Sequence, residues 1–397
     1  MIKYILTHPI QYQSPLIRNL SKLFKIHVLY RSDISVKKNF DKGFNKKVLI
    51  DRNLLKGYNY SFLKRIGPNK VDNFYPFTIE YINKIFTRDT KIVWLHGIKN
   101  WYNLIIIILC KIYNKKVFIR DETNNLKKRS FLNLLINNIF YKFIDNFIHA
   151  YLVIGKENRN TYISNGISKK KLFLVPYVVD NESFKSKKKK KKKKIFLVPY
   201  VFLNNFFKKK KKKKSKKIIF IFSGKLIYRK GFDLLLNAII ICNRFKNFKS
   251  NSRFVIIGDG ENFNEYLRFK KENKLTNLEF VGYKNQSFIK RYYKKSKILI
   301  LPSREEKWGL VINEAMSAGN MIIASDKVGA CKDLVHNNFN GYIFKDNNYH
   351  DLAKKIIKTY KKKNKIDTYC KNSIKLISMW SFKECCDGLK KAIDSVV

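Results

Sequence analysis

The sequence predicts an α/β protein with two doubly wound parallel sheets. Three observations lead to this prediction. The chain has 397 residues, a length that suits two domains of ordinary size. Short apolar runs typical of buried strands alternate with helix-periodic segments in both halves of the chain. A lysine-rich stretch at residues 179–217 separates the two series, which we interpret as Rossmann-like domains that face one another across a cleft.

The first series occupies residues 1–178. It begins with a strand at 3–6, a helix near 16–23 and a strand at 25–30. Residues 31–90 are rich in Asn, Lys and aromatic side chains, and their elements cannot be placed. Strands then follow at 91–95, 116–120, 149–154 and 172–176, with helices near 101–113 and 130–143 and one short helix before the last strand. The apolar run 104–110 is far shorter than the roughly 20 residues that cross a bilayer. We therefore predict that it is a buried helix.

The second series occupies residues 218–375 and has the same alternation. Its predicted strands lie at 218–224, 253–260, 278–283, 297–301 and 321–325. Its predicted helices lie at 231–242, 261–272, 287–295, from about 310, and at 349–361. Residues 376–397 form a C-terminal helix that we expect to return to the N-terminal domain.

The stretch between the two series contains an imperfect duplication. FLVPYVVDNESFKSKKKKKKKK is followed by FLVPYVFLNNFFKKKKKKK, and each copy ends in a lysine tract. The first copy keeps Asp180 and Asn181, so the second is interpreted as an insertion tolerated in a linker. Contiguous like charges repel one another and stay in solvent. A basic arm that binds anionic lipid is the alternative interpretation.

The net charge of +55, from 84 Lys and Arg residues, limits the partners to be considered. Most of the lysine excess suits an A/T-rich gene, since Asn, Ile, Phe and Tyr are also abundant. The remainder could attract an anionic membrane surface. Nucleic acid is not an expected partner, because no single element concentrates arginine and aromatic residues. Six cysteines without C-x-x-C spacing favour a reduced, cytoplasmic location, with peripheral contact to the inner face of the plasma membrane as an option.

The most informative motif is LPSREEKWGLVINEAMSAG, which follows the strand at 297–301. Glu306 lies on the predicted loop, Gly309 marks the start of the next helix, and Glu314 lies within that helix. Ligands of open α/β sheets bind beyond the carboxyl ends of the strands. The motif therefore predicts a binding site with two carboxylates.

A second motif, GKLIYRKG, follows the strand at 218–224. Gly224 allows close approach of the backbone, and Lys225 and Lys230 flank the turn before the next helix. A helix N-terminus with two nearby lysines suits a diphosphate. The chain has no G-x-G-x-x-G dinucleotide fingerprint and no Walker A loop.

Taken together, SGKLIYRKGFDLLLNA, VIIGDGE, FVGY and EKWGLVINEAMSAG resemble the family-4 retaining glycosyltransferases with the GT-B fold. The resemblance covers the whole second domain in order and spacing. It implies that Lys225 and Lys230 hold the nucleotide diphosphate, that Glu306 contacts the hydroxyls of the transferred sugar, and that Glu314 holds the ribose. It also implies that amides near Gly309, Leu310 and Val311 face the phosphates or the sugar, and that Tyr283 lies beside the nucleobase.

The implied activity is hexosyl transfer with retention from a nucleotide-diphosphate sugar to a cell-surface polysaccharide, such as lipopolysaccharide, or to a lipid-linked acceptor. No metal or other cofactor is expected, since the lysines would neutralise the leaving diphosphate. Two other hypotheses stay open: a sugar-nucleotide epimerase with the same fold, and a polybasic binding protein whose enzyme domain has decayed.

The acceptor side is less well defined by the sequence. His8 and His96 follow the first strand and the strand at 91–95, so both are predicted at the cleft. Many relatives carry a histidine after the strand that corresponds to KVFIR, where this chain has Asp121 and Glu122. Either carboxylate could be the acceptor-side base. A salt bridge with Arg120 is the structural alternative.

Overall fold

The computed structural model describes residues 1–36, 39–41, 46–48, 53–68, 78, 80–126, 130–185 and 217–396. Within these ranges two all-parallel sheets are flanked by helices, which confirms the predicted fold class. The duplicated lysine-rich insertion falls largely on residues 186–216, which lie outside the described residues. The functional alternatives for that insertion therefore stay predictions.

The N-terminal half contains nine described strands and six described α-helices. The strands are β1 (Ile2–Leu6), β2 (Ile26–Tyr30), β3 (Asn39–Asp41), β4 (Lys46–Val48), β5 (Asn59–Phe62), β6 (Ile92–His96), β7 (Lys116–Arg120), β8 (Ala150–Val153) and β9 (Leu172–Leu174). The helices are α1 (Gln13–Leu20), α2 (Tyr81–Ile85), α3 (Trp101–Ile112), α4 (Phe131–Asp145), α5 (Lys156–Ser164) and α6 (Asn181–Phe184). Seven of the strands form one sheet in the order β5-β2-β1-β6-β7-β8-β9, and β3 and β4 form a separate antiparallel pair.

The C-terminal half contains six described strands and nine described α-helices. The strands are β10 (Ile218–Ser223), β11 (Ser252–Ile257), β12 (Leu278–Gly282), β13 (Ile298–Leu301), β14 (Met321–Ser325) and β15 (Gly341–Phe344). The helices are α7 (Phe232–Asn243), α8 (Phe248–Asn251), α9 (Phe263–Glu272), α10 (Gln286–Lys295), α11 (Leu310–Ser317), α12 (Cys331–Leu334), α13 (Tyr349–Lys361), α14 (Ile366–Ile377) and α15 (Phe382–Asp394). The strands form one sheet in the order β12-β11-β10-β13-β14-β15.

Each sheet has one point where the direction of chain progression reverses. In the C-terminal sheet the reversal lies between β10 and β13, and in the N-terminal sheet it lies between β1 and β6. Loops that leave adjacent strands on either side of such a point diverge to opposite faces and leave a crevice between them. The topology therefore places the two predicted motifs of the second domain beside one another.

The apolar composition of the strands is explained by burial on both sides. Parallel sheets covered by helices bury both faces, so their strands are apolar without alternation. In β10, Phe220 and Phe222 point into one core cluster, while Ile221 points into the cluster on the other face. The same division holds in β1, where Tyr4 and Ile5 belong to different clusters.

The last helix leaves the C-terminal domain and packs on the N-terminal one, as predicted. Cys385 and Leu389 of α15 are buried with Leu16 of α1 in the core cluster that covers one face of the N-terminal sheet. A Cβ atom on Gly388 would lie 1.9 Å from the backbone oxygen of Leu174, so glycine is required for this close packing. Packing of α15 thus connects the C-terminal part of the chain to the N-terminal sheet.

Three sequence predictions need correction. The helix predicted near 16–23 spans Gln13–Leu20, and β15 and α12 were not predicted at all. The apolar run 104–110 lies in α3, but only one side of that helix is buried. Ile106 and Ile107 are fully enclosed, whereas Ile105 and Ile108 are 45% and 50% exposed. Among the described residues, no helix has both the length and the apolar character needed to cross a membrane.

Replacing Gly388 by alanine is expected to loosen the contact between α15 and the N-terminal sheet. Alanine normally favours a helix, but here its methyl group would collide with the Leu174 carbonyl oxygen. We expect the free energy of unfolding to fall by about 1–3 kcal/mol, measured by urea denaturation. Lys390→Ala, on the exposed side of the same helix, is the matched control and is expected to change it by less than about 0.5 kcal/mol. A Gly388→Ala protein as stable as the parent would contradict this packing.

Candidate active site

The loops that leave β10 and β13 are joined by several contacts at the reversal point of the C-terminal sheet. The backbone N–H of Arg304 donates to the oxygen of Arg229 at 2.9 Å, and Nη1 of Arg229 donates to the oxygen of Glu305 at 2.9 Å. The Arg304 guanidinium also binds both carboxylate oxygens of Asp233 in the first turn of α7. Bidentate pairs of this kind fix geometry as well as charge. The two loops therefore behave as one structural unit.

Gly231 allows these loops to approach so closely. It has a left-handed backbone, with φ of 63°, and caps the N-terminus of α7. A Cβ atom at this position would lie 2.1 Å from the backbone oxygen of Pro302, so any other residue would push the two loops apart. The close approach of the Pro302 carbonyl oxygen therefore explains why a glycine follows Lys230.

Lys230 and Glu306 meet at the centre of this unit. Nζ of Lys230 donates to Oε2 of Glu306, and both side chains are only 13% and 16% exposed. Ser303 Oγ lies 3.5 Å and Arg229 Nη1 3.9 Å from the same carboxylate oxygen. The structure therefore brings together one lysine and one glutamate that are 76 residues apart in the sequence.

Helix α11 begins at Leu310, and its N-cap residue Gly309 lies three residues after Glu306. Gly309 caps it with φ of 98°, and its own Cβ would lie 2.8 Å from a methyl carbon of Val328. The first N–H groups of any α-helix lack an intrahelical acceptor, and here they belong to Leu310 and Val311. Together with the helix dipole, they make this end of α11 suitable for an anion.

Glu314 lies one turn into α11 and is held by two donors. Gln286 Nε2 donates to Oε1 at 2.8 Å, and the hydroxyl of Tyr293 donates to Oε2 at 3.3 Å. Tyr293 is fully buried, and burial together with the Glu314 carboxylate raises the pKa of its phenol well above the ordinary value. The hydroxyl therefore keeps its proton and fixes the orientation of Glu314.

The remaining predicted donor-side residues lie at the same edge of the sheet. Gly224 and Lys225 leave β10, and Tyr283 follows β12; Lys225 and Tyr283 are half-buried. The N–H of Gly224 bonds the oxygen of Ile257 at 3.0 Å, and a Cβ on Gly258 would lie 1.8 Å from the Gly224 oxygen. The GDG sequence after β11 therefore serves to pack against the loop that carries Lys225.

His8 and His96 lie at the reversal point of the N-terminal sheet. Nδ1 of His96 lies 3.4 Å from the side-chain nitrogen of Gln13, and Nδ1 of His8 is buried without a hydrogen-bond partner among the described residues. Burial and the Arg120 guanidinium lower the pKa of His96 to about 4, and burial and Arg31 lower the pKa of His8. His96 is therefore a neutral imidazole at pH 7.

The structure separates the roles of Asp121 and Glu122. Asp121 is buried and accepts hydrogen bonds from the N–H and hydroxyl of Thr123, at 3.0 and 2.9 Å, and from Asn158 at 3.3 Å. Both of its oxygens are thus used within the fold, so Asp121 is poorly placed to serve as a base. Glu122 accepts instead from the hydroxyls of Tyr177 at 2.7 Å and Tyr12 at 3.3 Å, on a single oxygen.

The proposed salt bridge of Arg120 is wrong. Nη2 of Arg120 donates to the backbone oxygens of Val175 and Pro176, at 3.0 and 2.9 Å, and the guanidinium lies 4.8 Å from the ring centroid of Tyr177. The residue therefore anchors the chain segment that leaves the N-terminal sheet. It does not neutralise the neighbouring carboxylates through a direct ion pair.

Hydrogen bonds between the domains bring the predicted acceptor side and the predicted donor side together. Asn313 of α11 donates to the backbone oxygen of Tyr177 at 3.0 Å, and Asn124 donates to the backbone oxygen of Lys307 at 2.9 Å. Gln11 donates to Gln286 at 2.8 Å, which connects the loop after β1 to the residue that holds Glu314. Glu122 and Glu314 are thus each linked to the opposite domain through one intermediate residue.

Sequence reasoning did not find Gln11, Gln286, Tyr177 or Tyr293. Gln11 lies in the loop after β1, so the rule that suggested His8 could have found it. Tyr293 and Gln286 lie on α10, whose sequence QSFIKRYYKK carries no motif that separates them from surface residues. Only their contacts to Glu314 reveal them.

Comparison with known proteins agrees with the fold and the motifs. The family model of the group 1 glycosyl transferases matches residues 204–376. The Anabaena protein HepE, crystallised with UDP, superposes over 100% of both chains with a TM-score of 0.71 at 13% identity. Sucrose-phosphate synthase from Thermosynechococcus elongatus gives a TM-score of 0.67 at 16% identity, over 100% of this chain and 98% of that one. Both are similar in fold.

Two curated relatives match part of the chain in sequence. An uncharacterized glycosyltransferase of Methanocaldococcus jannaschii is 28% identical over 176 residues, which are 44% of this chain and 48% of the relative. An α-1,4-N-acetyl-D-galactosaminyltransferase of Campylobacter jejuni is 30% identical over 136 residues, 34% of this chain and 36% of the relative. The matches thus span less than half the length of each relative.

The two-sheet architecture with its central crevice is the GT-B fold of glycosyltransferases. Within that class, residues 204–376 match the group 1 glycosyl transferases, the kind of enzyme that the motifs in the second half of the chain predicted.

The lowered pKa of His96 predicts a pH dependence of stability. An unfolded histidine titrates near pH 6.5 and the folded one near pH 4, so between these values only the unfolded chain gains the proton. His96 therefore destabilises the fold as the pH falls, by about 2 kcal/mol between pH 7 and pH 5. His96→Gln removes the titrating group. Between pH 7 and pH 5, the free energy of unfolding of this variant, measured by urea denaturation, should therefore fall by about 2 kcal/mol less than that of the parent protein. Parallel stability curves for the two proteins would contradict the assignment.

Proposed function

We propose that this protein transfers a hexosyl group, with retention, from a nucleotide-diphosphate sugar to a glycan or lipid-linked acceptor. The observation that carries the proposal is the convergence of Lys230, Glu306 and Glu314 at the reversal point of the C-terminal sheet. Two lysines, one helix N-terminus and two carboxylates then lie at the same edge of the sheet. Few ligand classes need all of these together, and a nucleotide-diphosphate sugar is one of them.

Each part of such a donor has a chemically suitable group. Lys225, Lys230 and the N–H groups at the start of α11 would bind the diphosphate. Glu314, oriented by Gln286 and Tyr293, would accept hydrogen bonds from both hydroxyls of the ribose diol. Glu306 would accept hydrogen bonds from the hydroxyls of the transferred sugar, and Tyr283 would lie beside the nucleobase. HepE, which shares this fold, was crystallised with UDP and with UDP-glucose.

The ion pair between Lys230 and Glu306 suits this chemistry. When the sugar–phosphate bond breaks, negative charge grows on the leaving diphosphate and positive character on the sugar. A diphosphate would attract the Lys230 ammonium away from Glu306, and the carboxylate would then be available to the sugar. Charged groups fixed in a half-buried site before the reaction stabilise such a transition state strongly. We propose that these protein cations take the place of a metal ion.

On the acceptor side, Glu122 is the better candidate of the two carboxylates, since Asp121 is occupied by the fold. Glu122 still has one carboxylate oxygen beyond the one that accepts from Tyr12 and Tyr177. Neutral His96 is the other group that could accept a hydrogen bond from the acceptor hydroxyl. The motifs identify neither Glu122 nor His96 as a nucleophile. Attack by the acceptor hydroxyl on the face of the sugar from which the diphosphate leaves would account for retention.

Replacement of Lys230 by alanine tests the proposed leaving-group stabilisation. With radiolabelled nucleotide sugars and a membrane extract as the source of acceptor, we expect the rate of label transfer to fall by about 100-fold or more. Lys246→Ala, an exposed lysine of the same domain, serves as the control and should retain full activity. An unchanged rate of label transfer by the Lys230→Ala protein would contradict the proposed role of Lys230 in stabilising the leaving group. Conversion of the donor without acceptor would instead favour the epimerase hypothesis.

Replacement of Glu314 by glutamine tests the ribose assignment. The parent protein should bind the preferred nucleoside diphosphate about tenfold more tightly than its 2′-deoxy analogue, because a hydrogen bond to the carboxylate is lost in the analogue. In Glu314→Gln we expect most of this preference to disappear, as measured by isothermal titration calorimetry. The control is Glu279→Gln, a surface carboxylate paired with Arg253. If the Glu314→Gln protein keeps the full preference for the ribonucleotide, the role belongs to another residue.

A further inference from the structure

The outer side of α4 is an apolar surface that no other described part of the chain covers. Seven large apolar side chains on this helix are between 42% and 79% exposed: Phe131, Leu132, Leu134, Leu135, Ile136, Ile139 and Phe143. Only Tyr141 and Ile144 of α4 enter the core fully. Scattered exposed apolar residues are ordinary, but a contiguous group of this size marks an interaction surface.

The exposed residues form one continuous stripe. Leu132, Leu135, Ile136, Ile139 and Phe143 lie on one side of the helix, because each has another member of the group three or four residues away. The neighbouring helix α3 adds Ile105, Ile108 and Ile112 at the same kind of spacing, exposed by 45%, 50% and 71%. Because α3 and α4 bury their inner sides in the same core cluster, their outer sides face the same solvent region. We name these eight side chains the α3–α4 face.

The charges around the α3–α4 face are of one sign. Exposed Lys111 lies on α3, exposed Lys142 on α4, and Lys99, in the turn before α3, donates to Asn137 of α4. The single acidic residue within the two helices is Asp145, which is occupied by Lys171 at 3.0 Å and by the hydroxyl of Tyr151 at 3.1 Å. The face therefore combines apolar side chains with a positive border.

Apolar side chains with a positive border indicate which partner binds the α3–α4 face. We propose that the α3–α4 face docks on the surface of a bilayer that contains anionic lipids, with the apolar stripe inserted between the headgroups. Interfacial helices bind in this way through buried apolar area together with attraction of lysines to anionic lipid. A second copy of the chain is disfavoured, because two such faces would bring their lysine borders together in a protein that already carries a net charge of +55.

The position of α4 in the chain connects the α3–α4 face to the crevice between the domains. The helix follows the loop after β7 that carries Asp121 and Glu122, and the oxygen of Leu126 in that loop accepts from Nζ of Lys327 in the other domain at 3.0 Å. The loop that precedes α4 thus contacts the other domain at Leu126. If the proposed function holds, docking would bring the acceptor side of the crevice next to a lipid-linked substrate.

Vesicle co-sedimentation of the full chain tests the docking surface. The parent protein is compared with Leu132→Ser/Leu135→Ser/Ile139→Ser on vesicles of phosphatidylcholine with and without phosphatidylglycerol. The matched control is Leu23→Ser/Ile82→Ser/Met379→Ser, which removes three equally exposed apolar side chains from other surfaces. We expect the α4 variant to partition at least about tenfold more weakly onto anionic vesicles, with the control unchanged. Circular dichroism and nucleotide binding verify that both variants are folded.

A second measurement separates insertion from attraction by the lysine tracts. In about 0.5 M NaCl electrostatic attraction is screened, whereas inserted apolar side chains still contribute to binding. A Leu135→Trp protein should show a blue-shifted emission and quenching by brominated lipid in the presence of anionic vesicles. Equal binding of the α4 variant and the parent, or loss of all binding in high salt without quenching, would overturn the proposal. A parent protein that does not bind vesicles but dimerises through the α3–α4 face would also overturn the proposal. The assays contain no sugar donor, so their failure leaves the proposed transfer activity untouched.

Discussion

The site depends on one steric constraint: the backbone contact between Gly231 and Pro302. The reversal of strand order makes β10 and β13 neighbours, but adjacency of the strands alone leaves their loops free to diverge. A left-handed glycine with no side chain lets the turn before α7 rest on the Pro302 carbonyl oxygen. Lys230 comes directly before that glycine and Glu306 lies four residues beyond the proline, so the same contact brings their charges together.

Three charged groups of the site have hydrogen-bonding or ionic partners within the protein. Lys230 is satisfied by Glu306, Arg304 by Asp233, and Glu314 by Gln286 and Tyr293. Half-buried charges without partners would destabilise the fold, and the pairing avoids that cost. In the function proposed above, a bound diphosphate would replace Glu306 as the ionic partner of Lys230.

The two domains are connected by polar contacts at the crevice and by apolar packing away from it. Tyr177 provides both kinds: its backbone oxygen accepts from Asn313, its hydroxyl donates to Glu122, and its ring packs edge-on against Trp308. On the other side α15 is buried against the N-terminal sheet. The apolar α3–α4 face lies on the opposite side of that sheet from α15, so contact with a membrane would not compete with the connection between the domains.

The sequence by itself determined the fold class, most of the strands and helices, and the group of residues predicted to bind the sugar donor. It could do so because buried parallel strands are continuous apolar runs, and because Glu306, Glu314, Lys225 and Lys230 lie in local motifs. Tertiary structure alone decided which of Asp121 and Glu122 stays available, what Arg120 binds, and that Gln286 and Tyr293 hold Glu314. It also decided that α3 and α4 leave an apolar side in solvent. Each of these depends on contacts between residues distant in the sequence, and an apolar pattern is the same whether a helix buries one side or exposes it.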